Sequence, residues 1–333
     1  MNYEERVAAQ IEQYAESIDM HALPKIFHVW STNYIAPQLE AVFGTRSIDE
    51  IYALTYIESG ADPAAGGRIL SIGSGSGEVE IRVAKILLER GVQNFKLVCA
   101  ELSPILLERL RSQVAAEGLV DYFEAIEQDL NSINIPGRFD MIMANHALHH
   151  IVELEALFQY SHERLNDRGI FVTCDMIGRN GHMRWPEAAA FVKAIWPTLK
   201  PQQRYHVLLQ KLHETFTDHD CSKVGFEGVR AEDILDLVLK KFQPYKFVGA
   251  GGIIDMFVDR GYGHGFDVND EQDVALIRLI ADINEMLLDA NVIKPVWTMA
   301  SFTKDIREEK FFRDRRALNA LRVMSPSWMR FYS

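Results

Sequence analysis

The glycine-rich segment from Gly73 to Gly77 is the feature that most constrains how this chain can fold. It follows the apolar run at residues 69–72 and precedes a stretch with helical periodicity, residues 78–90. A strand, a glycine turn and a helix in this order predict the start of a nucleotide-binding βαβ unit. A dinucleotide fingerprint would need its third glycine at position 78, where this chain has Glu78, a carboxylate that would face the arriving pyrophosphate. The turn therefore favours a nucleoside cofactor without a phosphate group.

The composition of the chain limits which kinds of molecule it can bind. The 333 residues carry a formal net charge of -12, and such a surface does not attract nucleic acid or anionic lipid unless it has a local basic patch. Three cysteines are too few for a disulfide framework. The first residues lack an apolar signal core, and no apolar run is long enough to span a bilayer. We therefore expect a cytoplasmic protein that binds neither nucleic acid nor membrane.

Strand-like and helical patterns alternate after residue 67, which predicts an α/β fold. Helices separating consecutive strands favour a Rossmann-like, mostly parallel sheet with helices on both faces. Ser103 followed by Pro104 is a strong helix start, because a hydroxyl caps the first turn and proline fits its first position. The predicted strands are 68–72, 95–100, 122–127, 139–144 and 169–175, and the predicted helices between them are 78–90, 103–117 and 151–165.

The regions flanking this core suggest a division into five parts. The aromatic, polar stretch after residue 177 predicts an inserted helical lid, and the basic, aromatic C-terminal tail leaves self-association into a homo-oligomer open. The predicted parts are an N-terminal helical cap (1–61), the cofactor-binding core (62–177), the lid with one core helix and strand (178–268), a helix and closing strand (269–304) and the tail (305–333).

Two acidic residues follow strands at the expected crevice of the sheet. Glu101 ends the second strand, 24 positions after Gly77, where a carboxylate can accept both hydroxyl groups of a ribose. Asp129 follows the third strand, where a carboxylate can accept a hydrogen bond from an exocyclic amine such as that of adenine.

The segment Ile69–Gly77, together with Glu101, Asp129 and the run Phe139–Asn145, resembles the class I S-adenosylmethionine-dependent methyltransferases over residues 66–177. The resemblance implies a seven-stranded sheet whose last strand is antiparallel, with S-adenosyl-L-methionine as cofactor. It places the glycines under the methionine part of the cofactor, Glu101 at the ribose and Asp129 at the adenine. The cofactor-binding residues predicted in this way are Trp30, Tyr34, Ser71, Gly73, Gly75, Gly77, Glu101, Leu102, Asp129, Leu130, Asn145 and His146.

One position departs from the family pattern. Members of the family usually have an acidic residue two positions before the first glycine, whereas this chain has Ser71. The group that holds the methionine ammonium is therefore open, and Glu78 and the Trp30–Tyr34 segment are the alternatives.

Four histidines are the candidate catalytic residues. Methyl transfer from a sulfonium is an in-line displacement, and a hydroxyl or carbon nucleophile benefits from a general base for which histidine is suited. His146, His149 and His150 follow the fourth strand, beside the expected reactive end of the cofactor, and His182 lies in a donor-rich segment after the fifth strand. No regular ligand spacing indicates a metal, so we predict none.

The sequence thus predicts a methyltransferase acting on a small organic molecule, with O-methylation slightly favoured over N- or C-methylation because an amine acceptor needs a histidine base less. Three alternatives stay open: a peptide or protein methyltransferase, an NAD(P)-dependent oxidoreductase, and a protein that binds the cofactor without turnover.

Overall fold

The computed structural model describes residues 5–6, 23–61, 66–223 and 225–322. Most of residues 1–22, the segment 62–65 and the aromatic end of the tail lie outside these residues. None of the described helices is long and apolar enough to cross a membrane.

Helices precede the sheet, as the N-terminal pattern indicates. Ser47 caps the last of them by accepting a hydrogen bond from the backbone N–H of Glu50. In chain order they are α1 (Lys25–Trp30), a π-helical segment (Ser31–Ile35), α2 (Ala36–Phe43) and α3 (Ile48–Glu58).

The next elements alternate between strand and helix. Ser103 caps its helix as predicted, with Pro104 in the first turn. The elements are β1 (Gly67–Ile72), α4 (Glu78–Glu89), β2 (Phe95–Glu101), α5 (Pro104–Ala116), β3 (Phe123–Glu127), β4 (Phe139–Asn145), α6 (Leu154–Arg164) and β5 (Leu165–Met176).

The remaining elements lie between and after the last strands of the sheet. They are α7 (Pro186–Ile195), the hairpin of β6 (Tyr205–His206) and β7 (Lys211–Leu212), α8 (Ile234–Leu239), β8 (Gln243–Ala250), α9 (Asp255–Val258), α10 (Glu271–Asp289), β9 (Trp297–Thr303), β10 (Lys310–Phe311) and α11 (Ala317–Ala320).

The main sheet is mostly parallel, as predicted, and has the strand order β10-β8-β9-β5-β4-β1-β2-β3. Strand β9 is antiparallel to both of its neighbours, β5 and β8. The expected number of seven strands is wrong, because β10, only two residues long, pairs in parallel with the edge strand β8. Part of the predicted tail therefore returns to the sheet.

Both faces of the sheet are buried. On β1, Ile69 packs into one apolar cluster, which includes residues of α1 to α4 and α10, while Leu70 packs into the cluster on the other face with residues of α6 and α8. Neighbouring side chains of a strand point to opposite faces, so a strand that is apolar throughout is buried on both sides. Because β1, β2, β4 and β5 run parallel to one another, their carboxyl ends lie along one edge of the sheet.

Two predicted boundaries need correction. The helix expected at 151–165 begins only at Leu154, since residues 148–150 form a separate 3₁₀ turn. The strand expected at 169–175 begins earlier, at Leu165, and contains the turn-like residues 167–169, where the pairing with β4 shifts from Phe139↔Leu165 to Met141↔Ile170. The extra residues bulge from the ladder, so the strand does not end.

Candidate functional site

The glycine turn joins β1 to α4 with a backbone that favours glycine. Gly73, Gly75 and Gly77 have φ values of +68°, +56° and +83°. A Cβ on Gly73 would lie 2.7 Å from the Ala147 Cβ, and one on Gly77 would lie 2.0 Å from the Leu110 Cδ1. Among the described residues, no atom lies within 4 Å of the Cβ position of Gly75, so the outer side of the turn is open to a ligand.

Glu101 lies against this turn, as predicted. Its Oε2 accepts a hydrogen bond from the Gly75 N–H at 3.0 Å, and its Oε1 accepts one from the Ser103 N–H at 2.9 Å. Burial raises the pKa of Glu101, although these backbone hydrogen bonds oppose the shift. A fixed carboxylate next to an open glycine turn fits a ribose, and Leu102 follows it at the same strand end.

Asp129 and Leu130 lie at the adjoining strand end. Asp129 Oδ1 accepts a hydrogen bond from the Asn131 N–H at 2.9 Å and thereby caps a short 3₁₀ turn. The Leu130 side chain reaches the glycine turn, since its Cδ1 lies 3.6 Å from a Cβ position built on Gly73. The assignment of Asp129 to adenine remains a proposal.

Ser71 lies beneath the turn and contacts a second carboxylate. Its hydroxyl donates a 2.6 Å hydrogen bond to Glu80 Oε1, and both side chains are buried. Glu78, one of the alternatives for holding the ammonium, instead accepts a hydrogen bond from the exposed Ser76 hydroxyl.

The aromatic residues of the N-terminal helices have contacts elsewhere. Trp30 packs edge-on against Phe27 within the apolar core. The Tyr34 hydroxyl donates a 2.8 Å hydrogen bond to Asp282 on α10. These contacts do not test the assignment of Trp30 and Tyr34 as cofactor ligands, which stays a prediction.

Asn145 ends β4 and is tied to the helical cap. The Tyr52 hydroxyl of α3 lies 3.2 Å from Asn145 Oδ1 and from the Ala144 carbonyl oxygen. The next residue, His146, has a φ of +49°, and its backbone N–H bonds to the Cys174 carbonyl on β5. The backbone therefore turns sharply at this strand end and leads directly into the turn that carries His149 and His150.

Buried hydrogen bonds fix the orientation of the His149 imidazole. Its Nδ1 lies 2.5 Å from Oδ1 of Asp175, which is fully buried at the end of β5. Asp175 Oδ2 accepts hydrogen bonds from the N–H groups of Ala147 and Leu148, and its Oδ1 accepts one from Met176. This network fixes the carboxylate, which in turn fixes the orientation of the imidazole and leaves Nε2 on the far side of the ring.

Glu227 brings the two histidine turns together. Its Oε1 lies 2.6 Å from His182 Nε2 and 3.5 Å from His149 Nε2, while its Oε2 lies 3.8 Å from His150 Nε2. Backbone hydrogen bonds from Val229 to the His149 carbonyl and from Gly181 to the Gly228 carbonyl hold the segment in place. We call His149, Asp175, His182 and Glu227 the acid–histidine cluster.

The charges in this cluster separate the candidate bases. Burial disfavours the imidazolium of His149, but the carboxylates of Asp175 and Glu227 outweigh burial and raise its pKa to about 10. Burial and the neighbouring His149 lower the pKa of His150 to about 3. The histidines hold the pKa of Glu227 well below its usual range despite its burial. Of His149 and His150, it is therefore His149 whose protonated form is stabilised by the neighbouring carboxylates.

The same atoms lie close enough together for one cation. The ligand atoms of His149, His182 and Glu227 all lie within 4.8 Å of one another. The 2.6 Å separation between His182 and Glu227 is that of a hydrogen bond, and it is shorter than the ~3 Å expected between adjacent ligands at bond lengths of about 2.1 Å. The arrangement can share a proton, and the absence of a metal stays a prediction.

Sequence reasoning missed two members of this cluster. Asp175 lies at the end of β5, which pairs with β4. Its position next to the histidine turn could therefore be predicted from the pairing of these two strands. Glu227 gave no signal, because it is far from the histidines in the sequence and is brought to them by tertiary contacts such as the backbone hydrogen bonds of Gly228 and Val229.

The chain is similar in sequence to one protein family and in structure to several solved proteins. Residues 70–171 match a family model described as a methyltransferase domain. No curated protein sequence matches the chain.

Several solved structures are similar over most of the chain. The O-methyltransferase of a trans-AT PKS multienzyme of Brevibacillus brevis, in complex with S-adenosyl-L-homocysteine, is 12% identical, with coverage of 86% of this chain and 81% of that chain and a TM-score of 0.45. The StiE O-MT is 13% identical (86% and 84% covered, TM-score 0.44), and the [4+2]-cyclase SpnF is 15% identical (86% and 98%, TM-score 0.45).

The open glycine turn and the carboxylate of Glu101 fit an adenosine-containing ligand, and the matched family model spans both of them. Residues 70–171 therefore form a methyltransferase domain, and such a domain implies S-adenosyl-L-methionine as the cofactor.

Proposed function

We propose that this enzyme methylates an oxygen atom of a small organic acceptor, with His149 as the general base. The observation that carries the proposal is the arrangement of His149 between two carboxylates, with Nδ1 held by buried Asp175 and Nε2 facing Glu227. When bound, the cofactor supplies an electrophilic methyl group on a sulfonium. The protein must then align a nucleophile, remove its proton and exclude water.

The cluster suits a hydroxyl acceptor. His149 Nε2 would take the hydroxyl proton as the oxygen forms its bond to the methyl carbon, and the carbon–sulfur bonding pair would stay on sulfur. Asp175 maintains the tautomer in which Nε2 carries the lone pair, and Glu227 stabilises the imidazolium that forms. An amine acceptor would need only to arrive deprotonated. The presence of two carboxylates beside one imidazole therefore favours oxygen as the methylated atom.

The acceptor class can be tested with isotopically labelled cofactor. The enzyme is incubated with cell extract and S-adenosylmethionine that carries a labelled methyl group, and the products are sorted by size and by stability to acid and base. We expect an ether or ester label in the small-molecule fraction that the His149→Ala variant does not produce. Label in protein, or on nitrogen, would contradict the proposal.

The pH dependence of kcat/KM should show that the catalytic base is mostly protonated at neutral pH. Because the pKa of His149 is raised from about 6.5 to about 10, the base form is the minor one at neutral pH, and kcat/KM should rise with pH from 6 towards 10. Glu227→Gln removes one carboxylate and should move this rise to lower pH. A profile that is flat from pH 6 to 10, or one that Glu227→Gln leaves in place, would exclude His149 as the titrating base.

Chelation should leave the activity unchanged. If the cluster shares protons, dialysis against EDTA should change kcat by less than about twofold, because no step depends on a Lewis acid. The measurement is turnover before and after dialysis, with Mn²⁺ or Zn²⁺ added back. A loss of activity that one of these ions restores would replace the base mechanism with a metal-assisted one.

A further inference from the structure

A buried carboxylate beneath the glycine turn has no established role. Glu80 lies in the first turn of α4 and is only 2% exposed. The hydroxyl of Ser71 donates a 2.6 Å hydrogen bond to its Oε1. Among the residues that the structure describes, no cationic side chain forms an ion pair with it. Arg82, on the same helix, pairs instead with Asp49.

Such a group is costly unless something compensates its charge. A carboxylate removed from water is stable when it is paired or fully hydrogen-bonded, and otherwise it takes up a proton. Burial raises the pKa of Glu80 to about 7, although the hydrogen bond from Ser71 opposes the shift. The group is therefore poised to respond to a cation that arrives at the turn.

The position of Ser71 links this carboxylate to the cofactor. Ser71 is the second residue before Gly73 and lies at the carboxyl end of β1, directly under the turn. The turn is open on its outer side at Gly75. The methionine part of S-adenosylmethionine carries an ammonium group, and β1 itself offers this ammonium no acidic side chain next to the turn.

We infer that Glu80, positioned by Ser71, is the counter-charge for the methionine ammonium of the cofactor. In this chain, helix α4 after the turn supplies the carboxylate for the ammonium, and strand β1 before the turn does not. Glu80 is a positioning residue that acts from beneath the turn. The inference depends on cofactor use and is independent of the acceptor, so failure of the O-methylation proposal would leave it standing.

The first test is ligand affinity, measured by calorimetry on the full chain. Glu80→Gln should weaken binding of S-adenosylhomocysteine about 10- to 100-fold, the loss expected for a hydrogen bond between charged groups. Binding of methylthioadenosine, which lacks the amino-acid part, should change less than threefold. Glu89→Gln, which changes an exposed carboxylate at the end of the same helix, is the control and should leave both affinities unchanged.

A relocated carboxylate should restore the interaction. Adding Ser71→Asp to Glu80→Ala moves the acid from the helix to the strand, and we expect it to recover most of the affinity for S-adenosylhomocysteine that Glu80→Ala alone loses. A purely structural role for Glu80 would not predict this recovery, and its failure in a folded double variant would overturn the inference.

Proton release on ligand binding is a second readout, and it can be measured on the wild-type protein. With a pKa of about 7, Glu80 is about half protonated at pH 7, and an adjacent ammonium lowers its pKa, so binding should release up to about half a proton. The other titratable or charged groups near Glu80 are Tyr52 on α3, Cys99 on β2, and Glu78 and Arg82 on α4. The pKa values of Tyr52 and Cys99 are raised further by burial and by Glu80, so neither of them titrates at pH 7.

Calorimetry in buffers of different ionisation enthalpy measures this release. We expect more protons released by S-adenosylhomocysteine than by methylthioadenosine, and the difference should disappear in Glu80→Gln. Equal release by the two ligands, or an unchanged difference in Glu80→Gln, would overturn the inference. If wild type failed to bind S-adenosylhomocysteine at all, the cofactor assignment itself would be wrong, which is a distinguishable result.

Discussion

Replacing His149 with alanine should lower kcat about 10²- to 10⁴-fold, the range of general-base contributions in enzymes. The variant removes the imidazole whose Nδ1 is held by Asp175 and whose Nε2 faces Glu227, and these two carboxylates raise the pKa of that imidazole. Cofactor affinity should stay within about threefold of wild type, because His149 lies in the turn after β4 and has no contact with the glycine turn or Glu101 in the described structure. Single-turnover kinetics and calorimetry measure the two quantities.

His150 is the matched control for this experiment. It is adjacent in sequence and also faces Glu227, but its pKa is lowered to about 3, so it cannot hold a proton at assay pH. His150→Ala should therefore lower kcat far less than His149→Ala. If the two variants were equally impaired, the assignment of the base to His149 would fail.

Replacing Glu101 with alanine should weaken cofactor binding by about 1.5–3 kcal/mol, roughly 10- to 150-fold in Kd. Its carboxylate already lies against the Gly75 N–H, at the strand end where a ribose can be bound through its hydroxyl groups. Because the ribose is present in both ligands, S-adenosylhomocysteine and methylthioadenosine should lose affinity equally. This pattern separates Glu101 from Glu80, whose replacement should affect only the ligand with an ammonium.

Glu127 is the control carboxylate for this second experiment. It ends β3 next to the Glu101 strand end, but it is exposed. Glu127→Ala should leave both affinities unchanged, and the thermal stability of Glu101→Ala shows whether the turn is still folded. Loss of affinity for only one of the two ligands would contradict the placement of Glu101 at the ribose.

Periodicity predicted the fold because the central strands are apolar on both faces. Continuous runs such as residues 69–72 can satisfy both core clusters only inside a sheet covered by helices. The edge strand β10 could not be predicted, since its two residues carry no alternating pattern and its pairing depends on the returning chain. The bulge within β5 was likewise hidden, because its sequence is typical of a turn.

The candidate site was predictable wherever neighbouring strand ends determined it. Glu101 and His149 follow directly from the topology, because the carboxyl ends of parallel strands meet at one edge. Glu80 and Glu227 did not, for two different physical reasons. Glu80 reaches Ser71 from the helix that packs on the strand. Glu227 lies in an irregular segment that tertiary hydrogen bonds hold beside the histidines.

The most direct test of the whole account is a crystal structure of the enzyme with bound S-adenosylhomocysteine. We predict that Glu101 binds the ribose hydroxyls, that the ammonium lies above Ser71 and Glu80, and that the sulfur lies on the side that faces His149 Nε2. A cofactor bound away from the glycine turn, or one whose sulfur points away from the acid–histidine cluster, would contradict it.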